Sequence, residues 1–177
     1  MVDVVAYTNC DEVKLTLNGQ PLESKNFLNT GKLSLRWKVP FQKGILKAEG
    51  FRNGMLVATD IIQTAGDAAK LELTADRTAI RADGKDLSYI TVKIADEHGT
   101  LVPGADNLVR FEIEGEGKIA GVGNGNPISL EPAKGTERHA FSGLGLVIIQ
   151  SSGREGNITL KASCLGLPDQ KITINCN

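Results

Sequence analysis

What most restricts this chain is a two-residue hydrophobic period that recurs along its length. Val13, Leu15 and Leu17 alternate with Lys14, Thr16 and Asn18, and Leu33, Leu35, Trp37 and Val39 alternate with Lys32, Ser34, Arg36 and Lys38. Ile90, Val92 and Ile94 alternate with Thr91 and Lys93, and Ile158, Leu160 and Ala162 with Thr159 and Lys161. Successive side chains of a strand point to opposite faces, so this period builds sheets with one dry and one wet side. Asn18-Gly19, Asn53-Gly54, Asp83-Gly84, His98-Gly99 and Asn124-Gly125 punctuate the runs as turns. The chain is predicted to be all-β, folded as two tandem immunoglobulin-like β-sandwich domains.

The break between them is expected in "TAGDAAKLEL", Thr64 to Leu73, where Gly66 and small residues separate two strand-like runs. Residues 1–66 then form a small β-sandwich accessory domain of about five or six strands, and residues 67–177 an Ig-like C-terminal β-sandwich of about seven or eight.

The richest glycine stretch, "IEGEGKIAGVGNGNPISLEPAKG" from Ile113 to Gly135, contains a match to the dinucleotide fingerprint at Gly115 to Ala120. That fingerprint works only where a helix N-terminus follows, supplying free N–H groups and partial positive charge to a pyrophosphate. Here Gly121, Gly123, Gly125 and Pro127 follow instead. Each glycine costs a helix about 1 kcal/mol relative to alanine, and proline about 3. The stretch is expected to be turns and bends between strands, and no cofactor is expected.

A formal net charge of -1 gives no field to recruit nucleic acid or an anionic membrane. The chain has no apolar run near the roughly 18 residues of a membrane span. Its start, "MVDVVAYTNCDEV", has no basic region, and Asp3, Asp11 and Glu12 interrupt the apolar residues a secretory signal needs. Cys10, Cys164 and Cys176 are an odd number without C-x-x-C spacing, which disfavours a zinc or redox motif. Cys164 and Cys176 are close enough in sequence to pair, with buried idle thiols as the alternative.

The candidates for chemistry are sparse. His98 lies in the turn "ADEHGT" and His139 at the start of a strand, and neither has metal or nucleophile spacing around it. The acids, among them Asp11, Glu12, Glu23, Asp60, Asp76, Asp96, Glu97, Glu112 and Glu114, fall in turns or on polar strand faces and are expected to be solvated. A glycosidase needs two carboxyl groups about 5–10 Å apart in a cleft; Glu112 and Glu114 share an outward face instead. Trp37 shares a face with Leu33, Leu35 and Val39 and is expected in the core, which leaves Tyr89 as the candidate sugar contact.

Two longer stretches are distinctive. "VVAYTNCDEVKLTLNGQPL" followed by "LRWKVPFQKGILKAEGFRNGMLVATDIIQTAG" resembles the small β-sandwich behind the catalytic barrel of many bacterial glycoside hydrolase family 2 enzymes. "LTADRTAIRADGKDLSYITVKIADEHGTLVPGADNLVRFEIEGEGKIAGVGNGNP" with the continuation "FSGLGLVIIQS" resembles their C-terminal Ig-like domain, commonly in β-galactosidases of gut Bacteroidetes. The resemblance implies a non-catalytic C-terminal piece of a larger hydrolase, beginning inside the first small domain. The catalytic glutamates would lie in a barrel upstream, and the parent would be a periplasmic or extracellular enzyme of carbohydrate metabolism. The partner implied is that upstream catalytic domain of the same polypeptide. Asn124, Asn126, Arg138 and His139, in and near a polar, punctuated loop, are the candidate docking surface, with a plain solvated loop as the alternative. A carbohydrate-binding module and an invasin-like adhesin repeat are the rival functions.

Overall fold

A computed structural model describes residues 1–27 and 34–177, which divide into two compact units, Met1–Thr64 and Ala65–Asn177. Strands dominate both, and there is no helix among the described residues.

The first unit holds β1 (Val2–Ala6), β2 (Glu12–Leu17), β3 (Gln20–Pro21), β4 (Lys25–Asn26), β5 (Leu35–Val39), β6 (Ile45–Arg52) and β7 (Met55–Gln63). One sheet runs β3-β2-β6-β7, with β4 also on β2; the other, among the described residues, holds β1 and β5. The hairpins β2–β3 and β6–β7 close on Asn18-Gly19 (φ 52° and 78°) and Asn53-Gly54 (φ 50° and 76°). Positive φ at both central residues is the type I′ turn, whose twist matches that of paired strands. The alternation pays out as expected: Val13, Leu15 and Leu17 face Leu35, Trp37 and Val39 in one buried cluster. Trp37 is 4% exposed and its indole Nε1–H donates to the Glu23 carbonyl at 2.7 Å. Leu33, expected on the same face, lies outside the described residues.

The second unit holds β8 (Lys70–Ala75), β9 (Ala79–Ile80), β10 (Leu87–Ala95), β11 (Leu108–Gly115), β12 (Gly117–Gly123), β13 (Glu137–His139), β14 (Leu144–Ser151), β15 (Gly156–Cys164) and β16 (Leu167–Cys176). Its sheets run β12-β14-β10-β8 and β13-β11-β15-β16-β9, antiparallel except for β9 beside β16. Ile90, Val92 and Ile94 from one sheet and Ile158, Leu160 and Ala162 from the other are essentially solvent-free in a shared core.

Three expectations need correction. The glycine stretch is not all turn, because Gly117–Gly123 forms β12 on the edge of a sheet. Asp96, expected to be solvated, is buried: it accepts backbone N–H bonds from Gly66 at 2.9 Å, Thr100 at 2.8 Å and His98 at 3.0 Å. The bond from Gly66 above all holds its pKa below the usual carboxylate value, with Thr100 and His98 adding to it against the cost of desolvation. His139 ends a strand instead of starting one.

All three cysteines are free and buried. The β15–β16 register sets Cys176 opposite Gly156 and Cys164 opposite Leu167, at the two ends of the hairpin. That is roughly 27 Å of strand at about 3.4 Å per residue, far beyond what a disulfide spans. Burial pushes both thiols above their ordinary pKa, so neither is an activated nucleophile.

Candidate functional site

Gly115 explains the fingerprint match. Its φ is +93°, and a Cβ there would stand 1.9 Å from the Asn157 carbonyl oxygen. Glycine is required for the sharp junction of β11 with β12, and the residues that follow run as a strand where a phosphate loop needs a helix.

Beyond β12 the chain forms a loop tied together by its own polar side chains. Asn124 Nδ2 donates to the His139 carbonyl at 2.9 Å, while its Oδ1 accepts the Asn126 N–H at 3.0 Å. Asn126 Oδ1 in turn accepts the Ile128 N–H at 3.1 Å. Arg138 is buried, at 8% exposure, and spends its guanidinium inside the loop, donating to the Glu131 carbonyl at 2.7 Å and to Asn124 Oδ1 at 3.3 Å. It is therefore not the surface residue its polar neighbourhood in the sequence suggested. Glu131 is the centre that sequence reasoning missed. Its Oε1 lies 2.7 Å from His139 Nδ1 and accepts the His139 N–H at 3.2 Å, and its Oε2 accepts the Ser129 hydroxyl at 3.1 Å. The His139 contact is the leading cause that lowers the Glu131 pKa.

This network is structural in design. Its donors and acceptors bond largely to one another, although the buried Arg138 Nε makes no hydrogen bond and has only the Glu131 carboxylate, 3.5 Å away, beside it. Ile128, 83% exposed, and Leu130, 98% exposed, project outward. The loop, braced from within, presents two large apolar groups to solvent. Asn124, Asn126, Arg138 and His139 are brought together, as framework, with Ile128 and Leu130 as the presented groups.

The remaining candidates stay apart. Tyr89 sits on β10, two-fifths exposed, with its N–H bonded to Asp76 Oδ1 at 2.8 Å and Ile148 as its cross-strand partner. His98 is exposed in its turn. Glu112 and Glu114 are exposed on β11, and the Lys161 ammonium stands 3.8 Å from Glu112. Among the described residues, no group of three or more His, Cys, Asp or Glu is placed to hold a metal ion.

Comparison with known proteins identifies this architecture. The model of glycoside hydrolase family 2 C-terminal domain 5 matches residues 71–173. The chain belongs to that family. Residues 1–58 match a second model, a domain of unknown function (DUF4982). Beta-galactosidase BoGH2A of Bacteroides ovatus is 44% identical over 171 residues, 96% of this chain and 20% of its own length. A beta-galactosidase of Thermoanaerobacter pseudethanolicus is 31% identical over 174 residues, 90% of this chain and 22% of its own. A glycosyl hydrolase family 2 member from Bacteroides cellulosilyticus superposes with a TM-score of 0.95 at 41% identity, over 99% of this chain and 23% of that one. The family 2 chain described here thus spans about a fifth of the length of these two beta-galactosidases.

Proposed function

We propose that this chain is the non-catalytic accessory region of a longer family 2 glycoside hydrolase that cleaves β-galactosides outside the cytoplasm. In this reading it docks on the catalytic part of the same polypeptide through the loop that carries Ile128 and Leu130. The observation that carries the reading is the 44% identity over 171 residues to one fifth of an enzyme named a beta-galactosidase. The braced loop supports the docking role, because exposed Ile128 and Leu130 on one hydrogen-bonded polar loop offer a partner apolar area to cover.

Two preparations test it: the purified 177-residue chain, and a chimera in which it replaces the matching region of the Bacteroides ovatus relative. The chain alone should give no turnover of chromogenic β-galactosides above buffer, and the chimera should turn over. Ile128→Asp with Leu130→Asp should lower the melting temperature of the chimera by several degrees and leave the isolated chain unchanged. Turnover by the repurified chain alone overturns the non-catalytic reading, and an indifferent chimera removes the docking role from this loop.

A further inference from the structure

The first unit is a sandwich whose two sheets do not match. The ladder partners sort its inward side chains into columns. In the larger sheet Val13, Leu15 and Leu17 of β2 stand beside Gly50, Ala48 and Leu46 of β6, which stand beside Ala58, Asp60 and Ile62 of β7. Among the described residues the facing sheet has two columns, one on β5 and one on β1, where Ala6, Val4 and Val2 pair with Leu35, Trp37 and Val39. Burial falls in step. The β2 and β5 columns are buried, those of β1 and β6 are mostly half-buried, and the β7 column is exposed, with Ile62 at 64%.

Two hollows of about 350 and 290 Å³ lie along this uncovered flank, sharing Val4, Val5, Leu46 and Ile62 in their walls. Asp60 lines the larger one; its carboxylate accepts only the Ile61 N–H next to it, and no cation pairs with it among the described residues. Among the described residues, β1 ends its sheet there with an unpaired backbone edge.

We infer that this flank receives one extended segment of the longer polypeptide, which adds to the free edge of β1 as a third strand. The inference rests on the accessory reading above. Strands in a sheet sit about 4.8 Å apart and packed sheets about 10 Å apart, so a strand added to β1 lies over β7 and covers Ala58, Asp60 and Ile62. A strand added to β7 widens the sheet that is already wider and leaves the hollows open. The edge of β1 supplies the hydrogen bonds and the hollows receive alternate side chains, which is recognition by strand addition. The segment carries apolar residues at every second position and a cationic or N–H donor side chain opposite Asp60, because an unpaired carboxylate is costly to cover.

Hydrogen exchange of residues 2–6 and 55–63, in the isolated chain and in the chimera, tests this. Amides of residues 2–6 should exchange at least tenfold more slowly in the chimera, and Asp60→Lys should return them toward the isolated rate. Unchanged exchange at residues 2–6 in a chimera that turns over overturns the inference and leaves the accessory reading intact. Protected residues 2–6 in a folded chimera without turnover do the reverse. Slowing confined to residues 55–63 places the partner on β7 and overturns it. So does a concentration-dependent dimer of the isolated chain with residues 2–6 already protected, since the occupant is then a second copy. If the chimera does not fold, the strand Thr-Val-Thr-Arg-Thr-Val-Thr joined to Met1 by a Gly/Ser linker is the probe. It should protect residues 2–6, and equality with a Pro-interrupted control counts against the inference.

Discussion

Gly123 and Gly125, two residues apart, should respond differently to alanine. Gly125 has φ +74°, where a Cβ is strained, whereas Gly123 lies outside the positive-φ region and has open space for one. Gly125→Ala should cost about 1 kcal/mol and Gly123→Ala within about 0.5. Urea unfolding of the two variants compares them directly. Glu131 makes a pH prediction at the same scale. Its pKa in the folded chain is lowered, chiefly by His139, so its contribution is present above the ordinary value of 4.5 and is lost as pH falls through the lowered value. The melting temperature of the parent should therefore drop more steeply below pH 4.5 than that of Glu131→Gln. Parallel curves from pH 7 to pH 3 would show that the Glu131 pair carries no stability.

At the scale of strands, Trp37 is the test of the small sandwich. Truncating a buried tryptophan costs about 3–5 kcal/mol, a large share of what a domain of this size has. Trp37→Ala should abolish the cooperative unfolding of residues 1–64 and spare that of residues 65–177, as seen by hydrogen exchange. Strands such as β2, β5, β10 and β15 were legible because each alternates cleanly between core and solvent. β12 was not, for a physical reason. Its ladder slips at Ala120, so the inward pair Ile119 and Val122 is three residues apart, and a two-residue period passes over it. Asp96 was illegible for another: its burial depends on the backbone of Gly66, thirty positions away. The Glu131 network was hidden the same way, since a lone acid in a loop carries no local sign that Arg138 and His139 fold back onto it. The resemblance supplied the family, and local pattern supplied the strands, but contacts between distant loop residues belong to neither.

For the whole molecule, the single tryptophan separates two signals that are otherwise mixed. Trp37 lies in the unit Met1–Thr64, so tryptophan fluorescence reports that unit alone, while far-ultraviolet circular dichroism reports strands in both. The two units differ in how completely they close. Residues 65–177 set a four-stranded sheet against a five-stranded one around a core of solvent-free Ile, Val and Leu. Residues 1–64 leave the β7 column in water, and so small a unit already buries a lower fraction of its surface than a larger one. In urea the fluorescence transition should therefore come first, at a lower midpoint than the later part of the dichroism change, and with a shallower slope because less surface is exposed. Filling the open flank should close that gap. A strand that protects β1 binds only the folded unit, and whatever binds only the folded state raises its stability by linkage. The fluorescence midpoint should then rise toward the second transition in the chain joined to the Thr-Val-Thr-Arg-Thr-Val-Thr strand, which adds no tryptophan, while the second transition itself moves little. Coincident fluorescence and dichroism curves in the isolated chain would mean that the two units unfold as one, and that the uncovered column costs the small sandwich nothing.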